Sequence, residues 1–347
     1  KLLFKHRFGN ASVKDFQFYW NVPTFLCHRY GINFSEVSRD FGIIQNPQDK
    51  FRGKEIAMLY DPGMFPALLK NPNGSLTIRN GGVPQEGNLT RHLEFFREHL
   101  TEQITDESFA GVGIIDFESW RPIFRQNWAS LAPYRDLSLE IAKRKYPCLD
   151  EKSVKKKAVK AFEKWGSIFM EDTLKAAKNL RPRATWGYYA YPYCFNLTPQ
   201  RPTSACDPEV IIDNNNMWWL FNAEDVLLPS VYLPSSLNGT EKIAGIHGRV
   251  SEAMRISRKL RPRTKVLVYF WFKYRDQRDV FLSREDVVNG FRKIVDLSAD
   301  GVIIWGSSND VSSLAKCQQF RDYLENVFGP AVAEHRIGIP KTLLPYI

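Results

Sequence analysis

Seven short apolar runs, separated by longer stretches of helical spacing, restrict the fold of this chain more than any other feature. The runs are FQFYWNVP (16–23), IAMLYDPG (56–63), GVGIIDFES (111–119), TWGYYAYP (185–192), VLLPSVYL (226–233), KVLVYFWF (265–272) and GVIIWGSS (301–308). Each has the length of a buried strand and stops at polar, Gly or Pro residues. Helical spacing fills 88–104, 150–180, 240–260, 283–298 and 311–328; Asn88 opens the first, and Ser283 with an acidic first turn caps the fourth. Alternation of this kind predicts a parallel sheet covered by helices. An open nucleotide-binding sheet would carry a Gly-rich phosphate loop after its first strand, and none is present. Reactive or aromatic residues stand at several strand ends: Asp61, Asp116 with Glu118, Tyr189, Tyr232 and Trp305. A closed barrel gathers all such ends around one pocket, whereas an open sheet spreads them along an edge. The expected fold is therefore α/β: a distorted (β/α) TIM-like barrel of about seven parallel strands. A single domain over 1–347, with its core at about 14–330, is expected, since no Pro/Ser linker, repeat or low-complexity tract divides the chain. The tail after Gly329 carries no firm pattern and is expected to pack outside the barrel.

The formal charge of +10 suits a polyanionic partner. No nucleic-acid-binding motif accompanies it, and no apolar run is long enough to span a bilayer. The run from Lys152 to Lys164 reads as a solvated helix face rather than a binding site. Aromatics reach 14%, which fills a core and could also supply stacking platforms for sugar rings. Cysteines at 27, 148, 194, 206 and 317 show no C-x-x-C spacing, which argues against zinc or redox chemistry; no metal and no cofactor are expected. Six N-x-S/T sequons, at Asn10, Asn33, Asn73, Asn88, Asn196 and Asn238, point to a secreted, extracellular glycoprotein in which disulfides are permitted. The chain starts at Lys1 without a visible signal peptide, as a processed chain would.

The chemistry is concentrated in GVGIIDFESWRP, residues 111–122. Residues two apart on a strand share a face, so Asp116 and Glu118 should both face the pocket, about 6.6 Å apart at Cα, with Phe117 packed behind. Acids this close repel, and one should hold its proton near neutral pH, as a general acid must. Side by side, they cannot easily flank a sugar from opposite faces, as nucleophile and acid do in the common retaining arrangement. A substrate that brings its own 2-acetamido oxygen as nucleophile removes that difficulty. Glu118 would then be acid and base, and Asp116 would orient the acetamido group. The competing reading is an acidic strand end tied up by Arg121 or Arg125.

At this motif the sequence resembles the hyaluronidase family, especially the insect venom type, and the likeness runs from about residue 14 to 330. It is carried by FYWNVPTFLCHRYG (18–31), YDPGMFPALL (60–69), NGGVPQEGNLTRHL (80–93), GIIDFESWRPIFRQNW (113–128), WGYYAYPYCFN (186–196), LLPSVYL (227–233) and IIWGSSNDVSSLAKC (303–317). The resemblance implies an endo-acting, retaining, substrate-assisted glycosidase. Its partner would be an acidic glycosaminoglycan, hyaluronan or also chondroitin, cut at β-1,4 bonds of N-acetylhexosamine. Glu118 would be proton donor and Asp116 the acetamido-positioning residue. Tyr189 would lie close to the reacting sugar, Tyr232 would bond the acetamido oxygen, and Trp305 would wall the N-acetyl pocket. Tyr60, Asp61, Ser307 and Ser308 would lie along the groove, and Arg121 would support the carboxylates or meet a glucuronate. Bland roles remain open for several: Tyr189 and Tyr232 as core tyrosines, Ser307 and Ser308 as helix caps, Arg121 as a structural ion pair. The family pattern pairs Cys27 with Cys317 and Cys194 with Cys206, leaving Cys148 over, as a buried thiol in the first place or else as an inter-chain link. The short form, without a cysteine-rich, growth-factor-like module after the barrel, and a monomer are expected. Ser119 stands where some relatives carry Arg or Glu, and the basic segment KYRDQRD (273–279) could shape substrate choice. A catalytically silent glycan-binding homologue or allergen is the alternative.

Overall fold

The computed structural model describes residues 16–335. Its framework is seven parallel strands: β1 (Gln17–Asn21), β2 (Ile56–Tyr60), β3 (Val112–Asp116), β4 (Thr185–Tyr188), β5 (Val226–Leu227), β6 (Lys265–Trp271) and β7 (Gly301–Trp305). Each lies inside one of the seven predicted runs. β2, β3 and β4 form one hydrogen-bonded sheet, and β5, β6, β7 and β1 a second. A parallel bridge between Tyr189 and Leu228 joins β4 to β5, so the strands follow one another in chain order, with β7 returning to β1. No ladder joins β1 to β2. There Ile44 pairs with β1, through Trp20 N–H to Ile44 O (2.8 Å) and Ile44 N–H to Phe18 O (2.7 Å). The buried Asn46 side chain then reaches β2: its Nδ2 donates to Ile56 O (2.8 Å) and its Oδ1 accepts from the Glu55 and Ile56 amides. The polar groups that a ladder would have paired thus find partners in one side-chain amide.

Strand alternation divides the core. One set of faces packs against the helices, through Phe18, Trp20, Leu59, Ile115, Trp186, Val268 and Ile304 among others. The opposite faces meet one another in a second cluster that draws Tyr19, Met58, Ile114, Val226, Tyr269 and Ile303 together with Tyr189, just past β4. The alternation thus gives the strands two buried faces, one towards the helices and one towards the other strands. Gly187 and Gly301 mark close approaches between neighbouring strands, since a Cβ would fall 2.2 Å from the Val226 carbonyl oxygen at the first and 2.2 Å from that of Gln17 at the second.

The predicted helices are present as Leu89–Gln103, Glu151–Leu180, Gly239–Lys259, Arg284–Asp296 and Leu314–Tyr323, and Asn88 and Ser283 cap theirs as read. The lysines of 152–164 are exposed. Helix Ala132–Lys145 was not foreseen, because it buries Tyr134, Ser138 and Ala142, a stripe too small and polar to register as periodic. Hairpins Ala67–Lys70/Leu76–Arg79 and Leu197–Thr198/Arg201–Pro202, and helices Pro208–Asn216 and Trp218–Ala223, were likewise missed. Of the tail, residues 336–347 lie outside the described residues. Through a wide turn at Leu324–Phe328 the chain continues into helix Gly329–His335, which packs against helix Arg284–Asp296 with Ala331 and Val332 fully buried between the helices and the strands.

Both expected disulfides are formed, Cys27–Cys317 and Cys194–Cys206. Cys148, expected to be buried, is exposed, because it lies in the turn before the long helix rather than on a packed face. Among the described residues no helix is long and apolar enough to cross a membrane, and no cluster of His, Cys, Asp and Glu could hold a metal ion.

Candidate active site

Strand β3 ends at Asp116, and the alternation continues one step beyond it. Phe117 turns to the helix side, stacked on Phe65 at 4.0 Å and edge-on to Trp120 at 4.8 Å. Asp116 and Glu118 therefore turn the other way, into a cleft of about 510 Å³ that also takes in Tyr189, Tyr232, Trp271, Trp305 and Ser307. Burial raises the carboxyl of Asp116 well above its ordinary range, with further contributions from the charge of Glu118, a hydrogen bond to Glu118 and the charge of Asp61. Burial raises Glu118 as well, against the opposing pull of Arg121 and of its bond to Asp116. A bond between two carboxyl groups needs one proton, and among the protein's own groups the balance puts it on Asp116. Asp116 Oδ1 is buried without a partner. Glu118 itself opens to solvent at the cleft mouth.

Aromatic rings build the walls. Tyr232 stacks on Trp305 at 5.4 Å and on Tyr189 at 6.3 Å, which sets the two phenols side by side in the cleft. Burial, first of all, keeps both phenols far above their usual range, so each is a neutral donor. Trp305 donates its indole N–H to the Tyr60 hydroxyl (3.1 Å), and Tyr60 lies flat on Phe51 at 5.9 Å. Trp271 stands edge-on to Trp305 at 5.5 Å and donates to Asp310 (3.0 Å).

Arg121 forms no ion pair among the described residues. Its guanidinium lies 4.9 to 5.3 Å over the rings of Tyr193, Phe195 and Trp128, bonded to Gln126 O, and acts on Glu118 through space. Arg125 pairs with Asp213 (2.6 Å) and Glu209 (3.1 Å), so neither arginine ties up the acidic strand end. Asp61 stands just outside the cleft lining, held by two bonds from Arg79, the longer 2.8 Å. Ser307 lines the cleft and also caps the turn Ser308–Val311 through Asp310, while Ser308 is exposed beside it. Trp271, Asp310, Arg275, Arg278 and Lys316 are among the other lining residues and were not singled out from the sequence. The two arginines lie in the basic segment already noted, whereas Trp271 sat inside a run that reads only as a buried strand.

Four sequons, at Asn33, Asn73, Asn88 and Asn238, are exposed, and Asn10 lies outside the described residues. Asn196 does not fit the expectation. It is 2% exposed, and its Nδ2 is committed to Thr203 O and Gly245 O (3.1 Å), which leaves no room for a glycan.

The family model for hyaluronidase matches residues 8–337. The chain belongs to the hyaluronidase family. It is 60% identical over 325 residues to the hyaluronidase of Apis mellifera, spanning 93% of this chain and 85% of that one. Identity to the hyaluronidase of Polistes annularis is 48% over 315 residues, 91% of this chain and 86% of the relative. The crystal structure of bee venom hyaluronidase in complex with hyaluronic acid tetramer superposes with a TM-score of 0.90 at 61% identity, covering 92% of this chain and 99% of that one. A hyaluronidase-family relative from Vespula vulgaris, inactive hyaluronidase B, is 42% identical over 91% of this chain and 93% of its own length. Activity in the family therefore has to be argued from the site.

Proposed function

We propose that this chain is a secreted, endo-acting hyaluronidase that cleaves β-1,4 bonds of N-acetylhexosamine in hyaluronan, and in chondroitin where it is offered, with retention and with the substrate's acetamido group as nucleophile. The observation that carries the reading is the buried, unpartnered Oδ1 of Asp116 beside a second carboxyl in an aromatic cleft. An acetamido N–H would supply the missing partner. As its carbonyl oxygen attacks the anomeric carbon, the group becomes cationic and favours an ionised Asp116. The shared proton then passes to Glu118, which delivers it to the leaving glycosidic oxygen and later takes one from water. The neutral hydroxyls of Tyr189 and Tyr232 orient the acetamido oxygen, and Trp305 walls its methyl group. Tyr60, Asp61, Ser307, Ser308 and Arg121 serve the groove.

The single chain-ordered strand sequence and the inward-facing cluster shared by the strands support the fold reading, a distorted (β/α) barrel in one domain. Two disulfides and exposed sequons support secretion, as a monomer with glycans at exposed sites. Glu118→Gln is expected to lower hyaluronan depolymerisation by about a hundred- to ten-thousand-fold. Unchanged turnover would remove Glu118 from the chemistry. The relative named inactive motivates a second reading, a glycan-binding homologue without turnover. Oligosaccharide binding by the parent without any product would establish it.

A further inference from the structure

Lys273 and Asp310 form an ion pair of 3.0 Å in which each side chain is 4% exposed, and the reaction outlined above gives neither a task. A buried pair of this kind is seldom the best way to gain stability, since apolar residues of similar volume often do as well. The other bonds of the carboxylate distinguish this one. Asp310 Oδ2 accepts from the Trp271 indole N–H (3.0 Å), the Ser307 amide (2.8 Å) and the Ser307 hydroxyl (3.2 Å). Trp271 and Ser307 both line the cleft, and the Trp271 ring stands 5.5 Å from Trp305 and 6.1 Å from Tyr232. Lys273 lies two residues beyond Trp271 and pairs across a bridge with Phe281, over whose ring its ammonium sits at 5.1 Å. The carboxylate is thus anchored from behind by one cation and spends its second oxygen on two elements of the cleft wall.

We infer that Asp310, anchored by Lys273, is a positioning residue that sets the plane of Trp271 and the start of the Ser307 loop against the reacting sugar. The inference rests on the cleft being the catalytic site. It treats the pair as a device for alignment, and alignment of a bound substrate is felt chiefly in kcat.

Three variants of the full chain test it, with kcat and KM measured on hyaluronan oligosaccharides and thermal unfolding recorded for each. Lys273→Met with Asp310→Leu removes charge and acceptor together, so no lone buried charge remains. Its kcat should fall about tenfold or more, with KM within about threefold of the parent, as the loss of the orienting bonds from Trp271 and Ser307 implies. Lys273→Met with Asp310→Asn is just as neutral but keeps an oxygen for the indole, and should recover most of that loss. Trp271→Phe keeps a ring, lacks the N–H, and should lose the share of kcat carried by the indole bond, even if the double variants fail to fold. Parent-like kcat in the Leu variant or in Trp271→Phe would overturn the inference, as would equal loss in the Leu and Asn variants. A parent without turnover would instead defeat the functional reading. The inference would then stand or fall on whether the tryptophan emission shift on oligosaccharide binding is lost in the Leu variant and kept in the Asn one.

Discussion

The two disulfides close loops of very different length, and their removal should cost correspondingly different amounts. Cys27–Cys317 spans 290 residues and Cys194–Cys206 spans 12. In the chain-entropy account, a cross-link removes closure entropy from the unfolded ensemble in proportion to the logarithm of loop length, which gives about 5.7 kcal/mol for the long loop and about 2.8 kcal/mol for the short one at 25 °C. The sulfurs of the long link are buried, so paired Cys→Ala replacement leaves no polar atom stranded. Equilibrium urea unfolding of Cys27→Ala/Cys317→Ala and of Cys194→Ala/Cys206→Ala reads both costs directly. The first should be the larger by about 3 kcal/mol. The second should be the one that raises KM, because Cys194 stands between Tyr193 and Phe195, on which Arg121 stacks. Equal destabilisation, or a larger loss from the short loop, would refute the entropic reasoning and place the stabilisation in local packing.

Asp116 is held protonated by the fold, so its folded pKa lies above its unfolded one, and it costs stability as pH rises through that interval. Asp116→Asn should therefore melt close to the parent near pH 3 and increasingly above it toward neutral pH in parallel thermal scans; a gap that does not widen with pH would contradict this. The same raised values of Asp116 and Glu118 predict that kcat falls on the alkaline side, as the pair loses its shared proton, at a pH above the usual carboxylate range; a pH–rate profile with its descending limb below pH 5 would exclude it. Gly187→Ala should cost about 1–3 kcal/mol or more, since the added methyl meets a backbone carbonyl that cannot rotate away; an unchanged melting temperature would disprove the close approach. Peptide mapping of protein from a secreting host should find glycan on exposed sequons and none on Asn196; an occupied Asn196 would mean that the loop differs from the fold described.

Much of this architecture was legible because strand periodicity is a strong signal when the strands are buried on both sides. All seven runs became strands, and the step from Asp116 to Glu118 put both carboxyls in the cleft with Phe117 behind them. What escaped was whatever depends on partners distant in sequence. Helix Ala132–Lys145 has no apolar stripe of its own, and the tail helix is buried only because the core reaches it. The commitment of Asp61 to Arg79 and of Arg125 to Asp213 follows from contacts across the fold that no local pattern encodes. Where the pair's proton resides was beyond the sequence too. Proximity predicts one raised acid, but it takes the burial of Asp116 and the nearby positive charge of Arg121 to say which.

Asn46, which joins the strand edges where no ladder forms, has a chemical lifetime as well as a geometry. Conversion to aspartate would turn its donor nitrogen into an anionic oxygen facing the carbonyls of Lys50, Phe51 and Ile56, and the seam would be repelled where it is now held. Spontaneous loss of such an amide usually starts with attack by the next residue's backbone nitrogen. Here that residue is Pro47, whose ring nitrogen has no hydrogen to give up. The sequence thus slows ageing at an amide whose hydrolysis would loosen this seam.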